Sequence, residues 1–150
     1  MGFYEILVFV HVFSAIIGMG PGFVMIFVVK HASTMTELKH AYFIRGKLHV
    51  FTLVGGTLLL ITGLWMGFLN TYLFAQGWYW LSLILFMIAL ACGPLLLSPR
   101  SKPMKDFLKR CKGEEIPKEY YLLSGRLFAA ERLENSIFLV IIGLMILKPF

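Results

Sequence analysis

Charge is scarce in this chain: Asp, Glu, Lys and Arg make up 15% of its 150 residues, where a soluble domain carries about a quarter. With 59% hydrophobic residues and a mean hydropathy of +0.80, there is too little polar surface to clothe a water-soluble fold, and lipid is the expected solvent. Cysteine is sparse as well. Cys92 lies in an apolar stretch, Cys111 in a basic one, and no CxxC occurs, which excludes a disulfide framework and thiol redox chemistry as themes. The signatures of soluble catalysis are missing: there is no GxSxG, no glycine loop running into GK[ST], and no HExxH. A net charge of +6 comes without any nucleic-acid-binding motif or aromatic platform, so nucleic acid is not an expected partner.

What the sequence does contain is four apolar runs, at about 4–29, 48–69, 78–97 and 127–147. Each is about 20 residues long, enough for a helix to cross ~30 Å of hydrocarbon. The expected fold is an all-α integral membrane protein forming a single domain over 1–150, its four transmembrane helices in an antiparallel up-down bundle. Glu5 close behind Met1, and an apolar run continuing past Val28, predict that the first helix is retained and is not a cleaved signal. Lys30, Lys39, Arg45 and Lys47 cluster between the first two runs, and a longer basic series from Arg100 to Arg132 lies between the last two, leaving Lys148 at the opposite end. The positive-inside rule places both connections in the cytoplasm and both termini outside, which suits a bacterial cytoplasmic membrane. The basic connections are expected to meet anionic lipid headgroups. Residues 98–126 read as a basic cytoplasmic loop with an amphipathic helix lying on the membrane around Met104 to Cys111. The uncharged outer turn from Asn70 to Gly77, flanked by Trp65, Tyr72, Trp78, Tyr79 and Trp80, reads as an interfacial aromatic belt.

Small residues recur at helical spacing. His11, Ser14, Ala15, Gly18 and Gly22 share one face of the first helix, and Pro21 within the run GMGPG predicts a bend there. His49, Thr52, Gly56, Gly63 and Gly67 form a stripe on the second helix, expected to be its buried side and a surface for close helix approach, in a homodimer or a membrane complex.

The fourth helix holds the costliest residues. Only 136–147 is free of charge, too short to cross, so the span must reach back to Leu127 and draw Glu131, Arg132, Glu134 and Asn135 into the inner leaflet. A charge at the bilayer centre costs roughly 2.5–3.5 kcal/mol on insertion scales, so such groups face the bundle and find partners. Glu131, Glu134 and Asn135 share a face, while Arg132 snorkels towards the headgroups. Helical rise places His49 at the depth of Glu131, which predicts either a clasp between helices or a pair able to exchange a proton or hold a ligand. His11 enters two turns from the outer surface, with Thr62, Ser82 and Met66 as candidate neighbours. An imidazole there hydrogen-bonds a neighbour, binds a metal, or ligates haem b, with Met66 as a weaker second ligand.

Three segments together resemble a known family: LVFVHVFSAIIGMGPG around His11, LLLITGLWMG from Leu58 to Gly67, and LMILKP from Leu144 to Pro149. They are similar to the bacterial predicted integral membrane proteins grouped as domain of unknown function family 2269, a resemblance covering nearly the whole chain that implies four helices and no particular activity. A looser similarity is to the membrane-embedded, haem-binding protoporphyrinogen oxidases, which place a histidine in the first helix and a second about twenty positions on, as His11 and His31 stand here. Their Pro-Arg pair after the glycine is not found, since the stretch reads GFVMIFVVKH. The functional expectation is haem or metal binding through His11 for electron or proton transfer. The alternative is a small transporter or accessory subunit whose buried His and Glu residues bind a cation or clasp helices.

Overall fold

The computed structural model describes residues 1–150, which are helical with no strand: α1 (Phe3–Lys30), α2 (Met35–Leu69), a 3-10 turn (Thr71–Ala75), α3 (Gly77–Cys92), a π-turn (Gly93–Leu97), α4 (Ser98–Arg110) and α5 (Lys118–Leu147). Three stretches are long and apolar enough to cross a membrane, Phe3–Lys30, Met35–Leu69 and Gly77–Arg110. The apolar half of α5 carries Glu131, Arg132 and Glu134.

Large apolar side chains point away from the protein along every long helix: Phe9 and Phe27 of α1, Phe68 of α2, Ile84 of α3 and Leu139 of α5 are each more than half exposed. Only 31 of 150 residues are buried, so the apolar surface left over needs a non-aqueous solvent. The helices pair as α1 with α2 and α3 with α5. Met19 of α1, Leu59 of α2, Phe86 and Ala89 of α3, and Phe138 and Ile141 of α5 then close into a shared core.

The α1–α2 seam is set by glycine. A Cβ added at Gly18 lies 2.8 Å from the Gly55 carbonyl carbon and 2.8 Å from the Gly56 nitrogen, so the two backbones touch where no side chain intervenes. α1 passes through Pro21 without interruption. Pro94 acts differently. Lacking an N–H, it cannot donate to the carbonyl four residues back, and the helix widens into the π-turn, closed by Ser98 N–H donating to the Gly93 carbonyl.

Several expected boundaries are corrected. α2 starts at Met35, not at 48, and α5 at Lys118, not at 127; the stretch 98–126, read as a loop, is mostly helix. At 1.5 Å per residue the 35-residue α2 is roughly 50 Å long, well beyond a hydrocarbon layer of ~30 Å. The projecting ends of α1, α2 and α5 build a second core with α4: Val29, Met35, Leu38, Met104, Phe107, Leu127 and Phe128 are buried together. α4 is therefore not a helix lying on lipid. Its apolar face, with Met104 and Phe107 each 1% exposed, is taken up by protein. The connection after α4 tightens this end: Met35 N–H donates to the Glu114 carbonyl (3.0 Å), Thr36 Oγ1 to the Glu114 carboxylate (2.6 Å), and Lys39 Nζ to the Cys111 carbonyl (2.9 Å). At the opposite, aromatic end, Trp80 Nε1 donates to the Phe74 carbonyl (2.8 Å), and Phe74 meets the Tyr79 ring edge-on at 5.6 Å.

Candidate functional site

Polar side chains inside the bundle fall at three levels. Nearest the aromatic end, His11 of α1 meets Thr62 of α2, with Nδ1 and Oγ1 2.8 Å apart. The single hydroxyl proton of Thr62 is directed at the Leu58 carbonyl (2.7 Å) and the Leu59 carbonyl (3.2 Å) of its own helix. With that proton engaged, the contact favours the tautomer in which His11 Nδ1 carries the hydrogen and donates to the hydroxyl. Gly63 is the meeting point of three helices: its bare Cα faces the imidazole, a Cβ there lying 3.1 Å from His11 Cε1, and its carbonyl accepts from Tyr79 Oη of α3 (3.1 Å). Of the expected neighbours, Thr62 is bonded. Ser82 is fully buried with its hydroxyl unpartnered, and Met66 is half-buried one turn beyond Thr62.

At mid-depth, Asn135 Nδ2 of α5 donates to the Gly22 carbonyl of α1 (3.0 Å), and its Oδ1 occupies the space beside Gly22 where a Cβ would stand at 2.7 Å. That contact ties the α1–α2 pair to the α3–α5 pair.

Nearest the basic end lies the buried ion pair. Glu131 is 7% exposed, and its partner is Arg45 of α2, not the expected His49. The guanidinium is bidentate, with Nη1 3.2 Å from Oε2 and Nη2 on Oε1. It lies over the Tyr42 ring at 5.2 Å and the Phe128 ring at 5.9 Å. His49 itself is exposed on α2, within electrostatic range of Lys105, Arg45 and Glu131, so it ends the small-residue stripe without sharing its burial. Sequence reasoning passed over Arg45 because it read the residue as a loop charge. The signal was its place four residues before His49 on what proves to be one continuous helix.

Glu134 is different. It is half-buried on α5, within electrostatic range of Glu131 and of Cys92, the residue that precedes the π-turn, and it makes no hydrogen bond or ion pair within the chain. Two residues after Cys92, Pro94 lacks the N–H that would ordinarily pair with the Leu90 carbonyl. The Glu134 carboxylate is thus coupled to the last residue of α3, where regular α-helix gives way to the π-turn.

The model of the family described as "Predicted integral membrane protein (DUF2269)" matches residues 5–149. The chain belongs to the DUF2269 family. No curated protein and no solved structure gives a significant match. As a DUF2269 member it is an integral membrane protein, in keeping with its outward-facing apolar surface. This DUF2269 chain offers little to a metal: nowhere do three or more His, Cys, Asp or Glu side chains converge. The cavity of about 410 Å³ on the α1–α2 face and the one of about 620 Å³ between α4 and α5 include neither His11 nor Met66. The glycine stripe expected to serve a homodimer is occupied within the chain, Gly63 by His11 and Gly67 by Tyr79 and Phe74.

Proposed function

We propose that this DUF2269 protein crosses the membrane four times, with its basic end cytoplasmic and both termini outside, and that it binds and exchanges a proton or small monovalent cation at Glu134. The observation that carries this reading is the contrast along α5: Asn135 and Glu131 are each committed to another helix, whereas Glu134 is uncommitted and lies within electrostatic range of Cys92, the residue before the π-turn. An ionisable group inside a spanning helix is retained at a cost, and groups without a structural partner are the ones that serve ion or proton pathways. Carbonyls freed from helical pairing are the usual second source of oxygen ligands for such cations in broken membrane helices. Four spans, the fourth admitting the charges of α5, bring this site to the inner leaflet, where the cytoplasm supplies the ion.

A hydrophobic carbodiimide tests this directly, since it adds to protonated carboxyl groups within lipid. Expected is selective modification of Glu134, mapped by mass spectrometry, that declines as pH is raised from 5 to 9 or as sodium is added, with Glu131 unreactive in its ion pair. Labelling of Glu131 in preference to Glu134, or labelling of Glu134 that ignores both pH and sodium, overturns the reading.

A second reading rests on His11: in the tautomer whose Nδ1–H donates to Thr62, Nε2 is the acceptor. Haem b ligated there would supply a one-electron carrier, with the Thr62 hydroxyl orienting the imidazole. Protein purified from haem-replete cells then shows a Soret band that His11→Ala removes; colourless protein discards this reading and leaves the Glu134 reading intact.

A further inference from the structure

We propose that the outer face of the α1–α2 seam holds one anionic phospholipid, with an acyl chain in the groove over Gly20 and Pro21 and the phosphate at Lys47. This goes beyond the Glu134 reading and shares no residue with it. The groove, about 410 Å³, is lined by Ile16, Gly20, Pro21 and Val24 of α1 and by Leu48 and Phe51 of α2.

The run GMGPG explains its shape, because its three glycines have three different surroundings. Gly18 lets α2 touch α1, and Gly22 admits the Asn135 amide. Gly20 faces the other way, with nothing within 4 Å of the position its Cβ would take. A side chain at position 20 would fill this floor, and Pro21 lines it with a ring and no N–H. The wall is therefore apolar, and it begins at the residue, Leu48, where the charge-free run of α2 starts.

Charge decides the occupant. Lys47 lies one turn before Phe51 on the same side of α2, its ammonium 5.4 Å from the Phe43 ring, and His40 stacks on that ring at 6.3 Å. α1 adds Lys30 and His31 beyond Val24, both exposed. Glu37 is the sole carboxylate in α2, and it is tied to the backbone amides of Ser33 (2.7 Å) and Thr34 (3.4 Å). An apolar trough ending in unpaired cations matches a lipid with an anionic headgroup, and a second copy of this chain would set like charges against each other there.

The test titrates the delipidated full chain, in mild detergent, with phosphatidylglycerol or phosphatidylcholine of identical acyl chains. Bound lipid and oligomeric state are both read by native mass spectrometry. One phosphatidylglycerol is expected to be retained where phosphatidylcholine is lost. Lys47→Gln weakens that retention about fivefold, as one basic residue beside an anionic headgroup contributes. Gly20→Phe, which fills open space, abolishes it. Should Gly20→Phe alter the melting curve, Ile16→Trp repeats the test at a side chain already 63% exposed. Equal binding of the two lipids overturns the proposal, as does undiminished phosphatidylglycerol binding when the groove is filled. A dimer that becomes monomeric on filling the groove also overturns it, by assigning the face to a second copy.

Discussion

Glu131→Ala is expected to destabilise the protein by about 3–5 kcal/mol, the usual penalty for stranding one member of a buried ion pair. Arg45 keeps its charge in the variant, its side chain is 11% exposed, and neither the Tyr42 nor the Phe128 ring beside it carries a compensating negative charge. Arg45→Ala strands the carboxylate in the same way, with a loss of similar size. For a chain of this length such losses lower Tm by roughly 10 °C, read as thermal unfolding in detergent. The double variant Arg45→Met with Glu131→Leu removes both charges and keeps most of the volume, and it is expected to recover most of the loss. Recovery identifies the pair as a clasp between α2 and α5. Single variants that melt within a degree of the parent, or a double variant no better than either single, refute it. The carbodiimide experiment needs this pair intact, because Glu131 serves there as the unreactive reference.

Much of the fold was legible in the sequence, and the parts that were not share a cause. Uninterrupted apolar runs located the long helices, because a stretch of about 20 such residues has few other solutions. Hydropathy cannot see a helix that continues into charged sequence, since the charges of 35–47 and 118–126 cancel its signal. Another signal was present: Met35, Leu38 and Ala41 recur at helical spacing, as do Met104, Phe107 and Leu108, and all are buried. Reading those short stripes as one mutual core, and not as a membrane-facing face on α4, requires knowing that three helix ends project together, which no single segment reveals.

Of the pairings expected in the candidate site, His11 with Thr62 was legible and that of Glu131 was not. Counting rise per residue placed His11 near Thr62 and placed Glu131, Glu134 and Asn135 on one face. It could not choose Arg45 over His49, because both lie near the same depth and the choice turns on side-chain length and helix rotation. The Tyr79 contact to the Gly63 carbonyl was likewise invisible, since α3 offers an aromatic belt in which every ring looks alike. That leaves Glu134 defined by difference, as the acid whose neighbours have other partners.

The second large effect is expected at the glycine contact between α1 and α2. A Cβ at Gly55 lies 2.9 Å from the Ser14 carbonyl oxygen and 2.5 Å from Gly18 Cα, atoms of a helix backbone that no rotamer change can move aside. Overpacking ordinarily costs about 1–3 kcal/mol, and rigid neighbours put Gly55→Ala at the upper end of that range, with Gly18→Ala close behind. Gly20→Ala and Gly143→Ala make the opposite forecast. Nothing lies within 4 Å of either new methyl group, so these variants gain the ~1 kcal/mol by which alanine favours a helix over glycine. Thermal melting of the four variants side by side therefore separates in sign, which a general intolerance of glycine replacement cannot produce. Gly55→Ala melting at or above the parent protein rules out the seam. The consequence reaches the polar level above it, because His11 touches Thr62 along this same seam: helices forced apart at Gly55 carry the imidazole away from its hydroxyl, and the tautomer with its hydrogen on Nδ1 is no longer favoured.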